Sequence, residues 1–295
     1  MDASWGIQSP NSTPELLNPA ELASYIFELQ TNAGQPFSHG QYGSGAAPVL
    51  PEFINGDPNQ PYDAVNNAVT RAATGEGTDW LDEIFQTASI YNINVGASGG
   101  NENGQYALSA GYLNQEGTVI HTGYERYTVR ANTLFRPKDW LRIGENLTVA
   151  YGDRVDITGG IRGTGNAISQ AFRSPAIIPV FDEAGNFAGS AGGELTNAAN
   201  PVADLFRNQD NNTTNIRVFG NAFLEVDILE GLTAKTSINL DLNNFEFKGF
   251  AFPNPENIEG DPNRNQLTQT FGNSQSWTWY NTCLLYTSPS PRDRG

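Results

Sequence analysis

The chain has a single cysteine, Cys283, and only two histidines, His39 and His121. One thiol cannot make a disulfide framework or a cysteine zinc cluster, and two histidines without a partner pattern leave little for metal or acid/base chemistry. No catalytic, cofactor-binding or metal-ligating residue is assigned, and the residues that touch substrate cannot be named. Basic residues are scarce as well: 16 Lys and Arg stand against 32 Asp and Glu, for a net charge of -16. Such a surface repels a polyphosphate and argues against nucleic acid as a partner. There is no run of about 18 apolar residues for a membrane helix, although a spanning β-strand needs only roughly 9 to 11 alternating ones. Met1 leads straight into Asp2-Ala3-Ser4-Trp5, with neither the basic nor the apolar region of an export signal.

What the chain does have is glycine (31), proline (17) and many Asn, Thr and Ser residues around a modest 38% of hydrophobic residues. That mixture suits strands joined by long polar loops. Period-two alternation marks the strands. In the clearest, Leu141 to Arg154, one face carries Leu141, Ile143, Leu147, Val149 and Tyr151, with Glu145 as an exception, and the other carries Arg142, Asn146, Thr148 and Arg154. Residues 215–228 and 232–243 repeat the pattern, with Phe219 and Phe223 on the polar side of the first. Residues 90–98, 105–113, 124–135 and 277–282 show it more weakly. Strands of nine to fourteen residues exceed the globular mean of about 5 to 6 and fit a tilted barrel wall.

The connections alternate strictly. Residues 99–104, 136–139 and 229–231 are tight turns, whereas 9–89, 114–123, 155–214 and 245–276 are long. Short turns at one end and long loops at the other are the pattern of an outer-membrane barrel, and they place the turns on the periplasmic side. Asn18-Pro19-Ala20-Glu21 supplies an N-cap, a Pro at N1 and a Glu at N3, so a helix is expected over about Pro19–Thr31, with a short one over Asp79–Gln86. Trp5, Tyr91, Tyr112, Tyr124, Tyr127, Trp140, Tyr151, Trp277, Trp279 and Tyr280 sit at strand ends, where a barrel carries aromatic girdles.

The acidic stretches Asp182–Asn186, Asn208–Asn212 and Gly260–Asn265 lack the spacing of a calcium loop and are read as solvated turns. Gly159–Gly165 lacks the lysine and following helix of a phosphate loop and is read as a flexible loop. His39 and His121 are read as loop histidines.

The stretch Thr78–Phe85, followed by Asn92–Glu102, Tyr106–Tyr112, Gln115-Glu116-Gly117, Tyr124–Asn132 and Asp139–Leu147, resembles the SusC/RagA-type TonB-linked outer-membrane receptors in order and spacing. Asp2–Pro10 resembles the first barrel strand of that family, and Leu16–Tyr25 the helix-forming stretch after it. The resemblance implies an all-β fold, a partial antiparallel transmembrane β-barrel of about eight strands of a larger one, with long extracellular loops and short helices in the first. Residues 1–282 would be the N-terminal part of the barrel, without signal peptide or plug domain. Residues 283–295 resemble translated sequencing adapter and are expected to be non-native. The implied parent sits in the outer membrane of a Gram-negative bacterium, in contact with its lipid. It is no enzyme: it imports an oligosaccharide or peptide with a SusD-like lipoprotein lid and energy from TonB. Two readings without the resemblance are a secreted glycan-binding β-sandwich and a β-rich glycoside hydrolase.

Overall fold

The computed structural model describes residues 1–160 and 165–286. Eight strands form one antiparallel sheet: β1 (Asp2–Gln8), β6 (Ala88–Asn101), β7 (Gly104–Glu116), β8 (Gly123–Lys138), β9 (Leu141–Val155), β10 (Asn212–Leu229), β11 (Leu232–Ala251) and β12 (Gln266–Leu285). Each strand pairs with its neighbour in that order. Between β1 and β6 lie α1 (Pro19–Asn32), the two-residue strands β2 (Ser38–His39) and β3 (Gly43–Ser44), β4 (Phe53–Asn55), β5 (Thr70–Arg71) and α2 (Trp80–Ile84). The connection from β9 to β10 contains α3 (Ala167–Arg173), a 3-10 turn at Ser190–Gly192 and α4 (Pro201–Asn208).

The strands outrun their sequence signals. At about 3.3 Å per residue the 13 residues of β7 already reach beyond a hydrocarbon core of roughly 30 Å. The apolar alternation marks only part of each strand, while the backbone ladder continues past it wherever N–H and C=O groups still find partners. β12 shows this best. Only residues 277–282 alternate visibly, yet the strand has 20 residues, and Cys283, Leu284 and Leu285 pair with Ala234, Thr233 and Leu232. No break falls at residue 283; residues 287–295 lie outside the described residues, as do Ile161–Thr164 of the glycine-rich stretch.

The register puts the apolar residues of neighbouring strands on one continuous face. Val129, Val149 and Val218 are opposite one another across β8, β9 and β10, and Ile143 lies between Phe135 and Leu224. The other face carries Asn92, Ser109, Arg130, Thr148, Arg217 and Asp241. Neither face is covered by a second sheet. Consequently, among the buried apolar residues of the described chain only Ala88 belongs to these eight strands.

The core lies in the long connections instead. Trp80, Leu81 and Ile84 of α2, Ala167 and Ala171 of α3 and Leu205 of α4 pack with Phe37, Tyr42, Ile54, Ile177 and Leu195. The Trp80 indole N–H donates to the Pro175 carbonyl at 3.2 Å, and the Ala73 and Thr78 amides donate to the carbonyls of Ile177 and Ala176. The first and third long connections are thereby stitched together. Val119 enters the same core, tied by the bonds Gln86 N to Thr118 O and Ile120 N to Ile84 O. The fourth connection joins through Ala191 N to Glu256 O and a bidentate pair from Arg207 to Glu256 at 2.6 and 3.1 Å. All four long connections form one cap over one end of the wall.

Candidate functional site

The apolar face is ringed near its cap end by aromatics. Trp5 is opposite Tyr91, and Tyr112, Tyr127 and Tyr151 follow one another across three strands, with ring centroids 5.0 and 6.4 Å apart. The Tyr112 and Tyr127 hydroxyls both donate to Glu125, at 2.8 Å each. A ring with an apolar body and a polar tip suits a boundary between lipid and water. Trp277 and Trp279, opposite Leu240 and Ile238, belong to the same face and are 68% and 64% exposed. Two residues of the expected girdle do not. Tyr124 is opposite Arg154 and Gln115, and Tyr280 is opposite Ser237, so both stand on the polar face. Their place at a strand end is right, but their parity in the ladder is wrong for a girdle.

The polar face is an array of cross-strand pairs. Arg142 reaches Glu225 and Asp227 at 2.6 Å each, Lys235 lies 3.7 Å from Glu225, and Arg217 lies 2.7 Å from Asp241. Asn146 donates to Asn221, and Asn215 to Asn243. Phe219 and Phe223 on this face are each covered by a cation: Lys235 sits 4.0 Å from the Phe223 ring centre and the Arg217 guanidinium 5.1 Å from that of Phe219. The strand signal had placed both rings on the polar side, and cation–π contact is what makes that position tolerable. Where this face meets the cap there is a hollow of about 530 Å³, bordered by Gln8, Gln115, Tyr124 and Arg154 of the wall and by Ile157 and Ile168 of the cap.

In the cap, Asp182 of the first acidic stretch is a structural joint, while Asp261–Asn265 of the third is an exposed turn, as expected. Asp182 is buried; its carboxylate accepts from the amides of Ala184 and Asn186 and from the Tyr62 hydroxyl at 2.8 Å. Burial, then the hydrogen bond to Asp182 and the charge of that carboxylate, push the Tyr62 hydroxyl pKa up. Arg71 bridges Glu52 and Glu183. Asp261 accepts from the Asn263 amide, so its oxygen closes a local turn. Among the described residues no group of three or more His, Cys, Asp or Glu comes together to hold a metal ion. His39 stacks on Tyr42 at 4.6 Å and accepts the Gln41 amide at Nδ1, and His121 meets the Phe206 ring edge-on at 5.9 Å. His39 ends the two-residue strand β2 within the first long connection, and His121 is an exposed residue of the second.

Sequence reasoning missed the buried Glu256 and the half-buried Asp204. Asp204, at the start of α4, has one oxygen without a hydrogen-bond partner, and burial pushes its pKa up to about 6 against the attraction of Arg207 and Arg264. It also missed a row of rings on the cap, Phe181, Phe187 and Phe206, with centroids 5.2 and 5.6 Å apart. None of these residues lies in a periodic segment, so no local signal marks them.

No protein-family model matches the chain. Among curated proteins it is similar to TonB-dependent receptor P26 of Formosa agariphila, 28% identical over 245 residues, 83% of this chain and 21% of that protein. TonB-dependent receptor P3 of the same organism is 24% identical over 256 residues, 85% of this chain and 21% of that protein. TonB-dependent receptor SusC of Bacteroides thetaiotaomicron is 38% identical over 55 residues, 19% of this chain and 6% of that protein. The fold is shared with the solved RagAB peptide transporter, at a TM-score of 0.66 and 21% identity over 95% of this chain and 31% of that one. The chain thus spans about a fifth of the length of the curated relatives. These relatives are receptors and transporters by name, and the reading of the chain as no enzyme agrees with them. By sequence the chain is thus similar to TonB-dependent receptors, SusC among them, over the part of such a receptor that it covers, and it shares its fold with RagAB, as the resemblance to the SusC/RagA type implied.

Proposed function

We propose that the chain supplies part of the wall and of the outer cap of an outer-membrane receptor that imports a nutrient. The observation that carries this is the wall itself: one sheet of eight strands with an apolar, aromatic-ringed outer face, a paired polar inner face and every long connection at one end. A sheet with one face for lipid and one for a lumen closes into a barrel, because an open edge in hydrocarbon leaves backbone groups unsatisfied at several kcal/mol each. A two-sheet sandwich would bury one face of the sheet; here both are bare.

On this reading the turns at residues 102–103, 139–140 and 230–231 face the periplasm and the cap faces outside. A SusD-like lipoprotein would close over the cap, TonB would supply the energy, and the cargo is an oligosaccharide or a peptide. The solved RagAB complexes are named as peptide importers, which favours a peptide.

The test has two parts. The native locus is sequenced past residue 282, and the complete gene product is expressed in its host with a tag in the cap. Recovery in the outer membrane, a co-purifying surface lipoprotein, and loss of growth on one oligosaccharide or peptide source after deletion are the expected results. A product found only in the soluble fraction overturns the reading.

A further inference from the structure

Six cations stand on the polar face of the wall between its turns and the cap, and four of them have a carboxylate. Arg142 and Lys235 share Glu225, Arg142 also holds Asp227, Arg217 holds Asp241, and Arg154 lies 2.7 Å from Asp156. Arg126 and Arg130 of β8 have none. Among the described residues neither makes an ion pair or a side-chain hydrogen bond. The register explains why. Arg126 lies between Leu113 and Gly152, and Arg130 between Ser109 and Thr148, so no cross-strand neighbour is acidic. The nearest acids of the ladder on this face are three strands and about 14 Å or more away: Asp241 of β11, already held by Arg217, and Asp2 of β1.

The ground between is built of neutral donors. A small hollow beside both arginines is bordered by Asn92, Asn94, Ser109 and Gly111. Asn94 donates to the Asn92 oxygen at 3.1 Å, leaving the Asn92 amide and the Ser109 hydroxyl free to donate outward. A guanidinium does not lose its proton in a protein, so it keeps its charge when the wall encloses it and takes a counter-ion in place of lost water. Resting on the reading of this face as a lumen, we propose that Arg126 and Arg130 form an anion seat that takes the carboxylates of an acidic polypeptide segment. Four residues on one strand face set the two Cα atoms about 13 Å apart, which two acidic side chains match and one small anion does not. The carboxylates come either from a segment of the receptor held inside its own wall or from an acidic peptide passing through.

The test is arginine footprinting on the complete receptor, purified in detergent. Phenylglyoxal modification is read by peptide mass spectrometry, with exposed Arg136 at the β8–β9 turn as internal reference. Protection of Arg126 and Arg130 by roughly tenfold without additive identifies a carboxylate of the receptor itself. Protection that appears only with an Asp/Glu hexapeptide, and not with its Asn/Gln counterpart, identifies an acidic cargo; the R126Q/R130Q variant then binds that peptide about tenfold more weakly by fluorescence anisotropy. If both arginines react as fast as Arg136 in every condition, the seat does not exist. That result, in a receptor that is recovered in the outer membrane and supports growth, overturns this inference alone. A receptor missing from the outer membrane overturns the transport reading whatever the footprint shows.

Discussion

The wall and the cap are built on opposite terms. In the wall, strands of 13 to 20 residues from β6 to β12 carry their apolar side chains outward and bury almost nothing. In the cap, short elements of two to fourteen residues hide nearly all of the buried apolar side chains. The wall is held by its backbone ladder and, on the proposed reading, takes lipid as its apolar solvent. The cap is held by packing like a small soluble domain. One chain therefore uses two solvents, and what stabilises one half is irrelevant to the other.

The largest effect should come from the cap. Trp80 is 1% exposed, and Trp80→Ala is expected to cost about 3–5 kcal/mol. Hydrogen exchange should then show the amides of 73–86 and 175–178 opening while those of β8 to β10 stay protected. The same truncation at Trp277, 68% exposed, should leave both regions intact in detergent. Equal loss of protection in wall and cap would show that the two are not separate.

Next comes the wall. Val149→Arg on the outer face should destabilise the receptor in lipid by about 2–4 kcal/mol, whereas Thr148→Arg on the polar face should be tolerated. Folding yield into vesicles measures both, and a reversed order would mean that the two faces are assigned the wrong way round.

Asp204 tunes the cap by pH. Its carboxyl is held at about 6 when folded against an ordinary value of 3.8, so between those values the folded cap binds more protons than the unfolded one. Stability therefore falls as pH rises through this window and is constant above it, by roughly 2–3 kcal/mol in all. Asp204→Asn should flatten that dependence and raise the neutral-pH stability of the cap, read by the midpoint of cap proteolysis.

The smallest of these effects is a backbone one. Gly77 has φ +76°, and an added Cβ would lie 2.7 Å from the Ala176 carbonyl and 2.7 Å from Pro19. Gly77→Ala should cost about 1–3 kcal/mol and loosen the junction of α1 with residues 175–178, again by hydrogen exchange.

The wall was legible because its code is local. Residues 141–154 declare a strand by parity alone, and Asn18 and Glu21 do form the reciprocal cap that starts α1 at Pro19. The candidate site was not. The register that leaves Arg126 and Arg130 without acids depends on which residue of the next strand stands opposite. A shift of one position would exchange the faces.

By itself, then, the sequence determined the period, seven of the eight wall strands and the end at which the long connections emerge, since alternation and turn chemistry act over a few residues. Tertiary structure alone decided that those connections form a packed body. Trp80 meets Pro175 from 95 positions away, and Arg207 meets Glu256 from 49; burial of scattered side chains is a property of contacts between distant segments, which no local pattern records.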